Sequence, residues 1–256
     1  MNDFNRQYSL ASGRAMDTST DAGLRAFMLG VYNKLAMGIG LAGILAFVAG
    51  TVPAVSQLVF GTPLYFVVQW GPIALIVGSM FFMKNPSPTG TAVLYWSIVT
   101  LLGLGLGIWV AMAESATGFA TRGGISGSLT YVTIAKAFFI TASAFGALSL
   151  FGYTTKVNLT GFGSFAIMGL WGVVALSLLN FILPPSGMFE WLIMGAVFVL
   201  SAVIVAWQTQ ELKEGYYQLA GDERGLAVMT NWGALNFFIS FVNMFRIVLM
   251  LLASRD

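Results

Sequence analysis

The chain has 256 residues, 57% of them hydrophobic and 9% charged, against about 25% charged in soluble domains. A mean hydropathy of +0.83 makes lipid the expected solvent, and a pI of 8.9 that rests on twelve basic and ten acidic residues is no nucleic-acid footprint. Cysteine and histidine are both absent. That excludes disulfides, thiolate or imidazole metal sites, cysteine nucleophiles and histidine bases.

Residues 1–24 are polar and mixed in charge, with Asp3, Arg6, Arg14, Asp17 and Asp21. They read as a cytoplasmic tail without the apolar core and cleavage site of a secretory signal. Asp21, after Ser19-Thr20, reads as the N-cap of a helix that begins at DAGLRAF. Apolar runs of bilayer-crossing length follow at about 27–50, 63–83, 91–112, 129–152, 162–183, 188–209 and 225–252. Residues 25–256 therefore read as an all-α integral membrane domain of seven transmembrane helices.

With the N-terminus inside, the inner segments carry Arg6, Arg14, Arg25, Lys84, Lys156, Lys213 and Arg224. The outer ones hold little beyond Arg122 and Arg255, so the positive-inside rule predicts N-in and C-out. The sixth-to-seventh connection, QELKEGYYQLAGDERG, reads as a charged cytoplasmic hairpin that turns at Gly221-Asp222. The third-to-fourth loop, around Arg122 and Gly123-Gly124, reads as external. Gly103 with Gly107, and Ala142 with Gly146, are small-xxx-small pairs expected where helices cross closely.

The seventh run, GLAVMTNWGALNFFISFVNMFRIVLMLL, carries the most distinctive pattern. Asn236, Ser240 and Asn243 stand at i, i+4 and i+7, and Arg246 widens their stripe to roughly 120° of the helix circumference. An arginine near the membrane centre costs a few kcal/mol by insertion scales, so the stripe should face other helices or water. A plainer use is helix-to-helix glue, with Arg246 snorkelling to a headgroup. Two further ionisable residues stand in or near spans. Lys136, about two turns into the fourth, could pair with Glu114 or Glu190. Glu190 and Glu114 also suit the ends of their own spans, Glu190 by lying in a first turn. No span contains an aspartate, so neither a serine–histidine nor a paired-aspartate protease is expected, and no enzyme, cofactor or metal is assigned.

The segment FGALSLFGYTTKVNLTGFGSF, 145–165, resembles the junction of the fourth and fifth helices in the Bax inhibitor-1-like transmembrane family. The start, DAGLRAFMLGVYNKLAMG, and the close, WQTQELKEGYYQ and ISFVNMF, are similar to it as well. The resemblance implies a bacterial inner-membrane protein in which the last of seven helices is enclosed by the other six. It also implies a pH-sensitive calcium leak gated by an aspartate on the sixth helix and one on the seventh. Gln208, in WQTQ, and Ser240, in Ser240-Phe241-Val242-Asn243, occupy those two places. Met250 stands where the family's arginine belongs, and Arg246 lies one turn earlier. With both acids replaced, the expected role is regulatory or accessory, alongside a larger membrane complex or a membrane protease, as relatives linked to protease control imply. A pH-modulated leak channel of the same family, for calcium or another cation, is the alternative.

Overall fold

A computed structural model describes residues 3–114, 129–179, 187–219 and 221–253, with side chains described except at 3–21, 174, 177–179 and 187–191. In lipid every backbone N–H and C=O must be satisfied internally, and long runs of Leu, Val, Ala and Phe meet that demand as helices. Eight stand among the described residues: α1 (Asp3–Thr51), α2 (Pro53–Phe60), α3 (Leu64–Phe82), α4 (Pro88–Glu114), α5 (Tyr131–Thr154), α6 (Thr160–Leu179), α7 (Gly187–Gln218) and α8 (Glu223–Ala253). Six contain stretches long and apolar enough to cross a membrane: α1 from Ala22, α3, α4, α5, α7 from Leu192, and α8. The seventh expected span corresponds to α6, in which Thr160–Val173 is apolar among the residues with described side chains.

Three boundaries differ from the sequence expectations. α1 runs unbroken from Asp3, so Asp21 lies within a helix and does not cap one. No proline interrupts residues 3–51, and polar residues outside a membrane can extend an apolar helix at little cost. The segment 51–62, expected as loop, contains α2, which has Pro53 in its first turn, where a missing N–H costs nothing. α7 continues through Gln218, so the charged hairpin shrinks to its tip. There Gly221 adopts φ +93°, open to glycine, and Asp222 Oδ1 accepts the Gly225 N–H at 2.9 Å at the start of α8. The loop around Arg122, the tail side chains before Ala22 and Arg255 lie outside the described residues.

α1 lies along α4 over most of its membrane length. A Cβ on Gly103 would stand 2.8 Å from Ala42 Cα, and one on Gly107 2.7 Å from Ala49 Cβ, so this GxxxG does bring two backbones together. α8 packs against α1, α4, α5 and α7, its core face formed by Leu235, Phe237, Phe238, Met244 and Leu249. Among the described residues α2, α3 and α6 do not reach it. Enclosure by all six other helices is not seen among the described residues, where α3 packs on α2 and α4 and α6 packs on α7.

Two seams stay open. Among the described residues the backbones of α1 and α5 stay apart, bridged by a hydrogen bond between Tyr32 and Ser149, and between them lie cavities of about 320 and 530 Å³ that share Ile39 and Phe241. The Ala142–Gly146 pair, expected at a tight crossing, faces this gap instead; nothing lies within 4 Å of a Cβ placed on Gly146. Among the described residues the backbones of α4 and α7 likewise stay apart, on either side of α8.

Candidate functional site

α7 and α8 approach closely because Gly233 has no side chain. A Cβ there would stand 2.6 Å from Leu212 Cδ2. On that seam α7 presents Gln208 and α8 presents Ser240, and the Ser240 hydroxyl donates to Gln208 Oε1 at 3.0 Å. Ser240 is buried and Gln208 half-buried. The sequence-predicted pair therefore does meet, as a neutral hydroxyl–amide bond. Below it a cavity of about 180 Å³ is lined by Gln208, Glu211, Trp232 and Asn236 among others.

The rest of the stripe behaves differently. Asn236 and Asn243 are exposed, and Arg246 is half-buried with no ion pair among the described residues. Successive 100° steps place Asn236, Asn243 and Arg246 on the arc that faces the gap between α4 and α7. Ser240 sits at the edge of that arc, turned into α7. The four residues thus divide into one satisfied member and three that face outward. Lys136 is exposed, and Glu114 accepts a hydrogen bond from the Tyr131 hydroxyl, one turn from Lys136, with no ion pair between Glu114 and Lys136. The Glu190 side chain lies outside the described residues.

Three polar clusters went unmarked in the sequence reading. Lys34 of α1 donates to Asn231 Oδ1 of α8, and Asn231 Nδ2 donates to Pro88 O and Thr91 Oγ1 of α4, each at 2.8 Å. The Tyr95 hydroxyl donates to Lys34 O at 2.7 Å, so four hydrogen bonds among five residues tie α1, α4 and α8 together. Tyr32 of α1 bonds Ser149 of α5, which lies 3.0 Å from the Thr209 hydroxyl of α7. Gln210 spans the α5–α6 junction, taking the Leu159 N–H at 2.7 Å and donating to Val157 O at 2.9 Å. Beside it Lys213 Nζ donates to Tyr153 O at 3.0 Å and lies 5.1 Å from that ring's centre. A usable signal existed for the first cluster: Lys34 lies twelve residues inside the stretch that begins at Ala22, where a charge needs a partner.

Two of the segments that carry the family resemblance, 145–165 and 207–218, are thus clasped together through Tyr153, Val157 and Leu159 on one side and Gln210 and Lys213 on the other. The sequence profile described as "Inhibitor of apoptosis-promoting Bax1" matches residues 24–256. The chain belongs to the Bax inhibitor-1 family. A Caulobacter vibrioides member is 44% identical over 97% of both chains. A Rickettsia prowazekii member is 31% identical over 92% of both. The Escherichia coli inner membrane protein YbhL is 30% identical, over 91% of this chain and 94% of its own. As a Bax inhibitor-1 family member this is a multi-pass membrane protein, and its helices carry the apolar surface such a setting requires.

Proposed function

We propose that this protein is a regulatory or accessory member of the Bax inhibitor-1 family in the inner membrane, N-terminus inside, that conducts calcium poorly or not at all. The observation that carries the reading is the bond between Ser240 and Gln208. An amide and a hydroxyl do not titrate near neutral pH, so they cannot share a proton as two facing carboxylates do. Hard divalent cations favour charged oxygen ligands, and here each neutral group already holds the other. Arg246, about 9 Å farther along α8 and on its outward arc, adds positive charge to that half of the helix. No reaction is assigned to the site.

The test is calcium entry into proteoliposomes between about pH 6 and 8, the range over which a proton-shared carboxylate gate would respond. This reading expects little flux and no pH response from the native chain, and a pH-dependent flux from the Gln208→Asp, Ser240→Asp double variant. Robust pH-sensitive entry through the native chain would overturn it. A second reading, a cation leak through a displaced site, has one observation in its favour: Glu211 lines the cavity below Gln208 together with Asn236. Flux through the native chain that disappears in Glu211→Gln would select it.

A further inference from the structure

The outward arc of α8 sets an unusual physical problem. Asn236 and Asn243 are exposed, yet they lie near the middle of the stretch Glu223–Ala253, where the helix is otherwise apolar. Arg246 is seven residues from the end of that helix, roughly 10 Å inside it at 1.5 Å per residue. Amides and a guanidinium facing hydrocarbon lose their hydrogen bonds to water and gain nothing in exchange. The walls of the gap are α4, with α3 behind it, and α7, with α6 behind it, and among the described residues the backbones of α4 and α7 do not approach each other. The outward arc of α8 thus sets Asn236, Asn243 and Arg246 among the half-buried Trp232 and Ile239, between α4 and α7.

We propose that this arc receives a transmembrane helix of another protein, one that carries a carboxylate level with Arg246. The proposal rests on the accessory reading above and names the surface and chemistry of its partner. Helix rise fixes the pattern: hydrogen-bonding side chains should follow the acid at about 4.5 Å, to meet Asn243, and about 15 Å, to meet Asn236. Charge complementarity selects the acid. A second copy of this chain fits less well, since among the described residues no acid lies at the level of Arg246. Glu114 is the last residue of α4 and is engaged by Tyr131.

The experiment uses the full chain in proteoliposomes with labelled leucine-rich transmembrane peptides, identical except for Asp, Asn or Leu at the level of Arg246. Energy transfer should report association about tenfold tighter for the Asp peptide than for the Leu peptide, a difference of about 1.4 kcal/mol. Arg246→Met should abolish the preference, while Arg246→Lys should retain it; unchanged thermal melts would show that both variants fold. Because the chain has no cysteine, Asn243→Cys gives a single reporter. Slow reaction with a membrane-impermeant thiol reagent, further slowed by the Asp peptide, supports the proposal. Equal binding of all three peptides would show that a headgroup satisfies the guanidinium, and would overturn it. So would self-association of labelled chains through the stripe, or labelling of Asn243→Cys as fast as at a residue in water, the mark of an aqueous vestibule. Calcium flux measured on the same vesicles reports separately on the accessory reading, so either can fail alone.

Discussion

Asn231 and Asn243 are the same residue on the same helix, three turns apart, and have opposite surroundings. Asn231 is 4% exposed and bonded to Lys34, Pro88 and Thr91. Asn243 is exposed on the arc between α4 and α7. In a membrane helix an asparagine therefore signals a need for partners without saying whether they come from the same chain. The facing helix decides, and α8 has a closed side toward α1 and α4 and an open side between α4 and α7. The same contrast holds for the small-residue pairs, since Gly107 sits against α1 while Gly146 opens on a gap.

The largest effect should come from filling the closed side. Gly107→Leu would drive a side chain into Ala49 and the Ala46 carbonyl, which a Cβ alone would already approach to 2.7 and 3.0 Å. Overpacking a close helix crossing costs about 3 kcal/mol or more, to be read as a lowered thermal midpoint in detergent. Gly146→Leu should change stability by under about 0.5 kcal/mol, because its Cβ would meet nothing. Equal losses in both variants would erase the distinction between the two pairs.

Next in size is Asn231→Leu. It removes the acceptor that holds the Lys34 ammonium and the amide that donates to Pro88 O and Thr91 Oγ1 of α4, though Pro88 O still accepts from the Thr91 hydroxyl at 3.1 Å. Hydrogen bonds to charged groups contribute about 1.5–3 kcal/mol, and a loss near 2 is expected in the same melt. Adding Lys34→Met should recover part of it, because the ammonium left without its acceptor is then gone. Ser149→Ala is milder. It breaks the chain from Tyr32 to Thr209, but Thr209 keeps its bond to Val205 O at 2.9 Å. Membrane hydrogen bonds average about 0.6 kcal/mol by double-mutant cycles, so a loss of about 1 kcal/mol is expected for the two that Ser149 makes.

Much of this was legible in the letters, and the rest was not for a definite reason. Span positions follow from hydropathy alone, since one chemical requirement, satisfied backbone in lipid, fixes the helices. The Gln208–Ser240 meeting was legible through the resemblance, because both positions sit in recognisable motifs. Hidden were the facts that depend on which helices touch. The periodicity of α8 groups Ser240 with Asn236, Asn243 and Arg246, but only the placement of α7 separates the first from the others. Lys34 was hidden in a different way: a single charge among apolar residues shows its need but not Asn231, 197 positions later, which meets it.

Asn243→Leu is the smallest predicted effect and the one that separates the two sides of α8 most cleanly. In the isolated chain the amide has no partner among the described residues, so its loss should leave the melt within about 0.5 kcal/mol or raise it slightly. A comparable cost to Asn231→Leu would mean that Asn243 is satisfied within the chain and that the open side is closed in solution. A neutral result gains meaning from a second measurement, the affinity of the Asp-bearing peptide. Neutral in the melt and weakened in the binding is the signature of a residue held for a partner. The two asparagines would then differ in whose contacts they serve, one joining α8 to its own bundle and the other joining the bundle to something else.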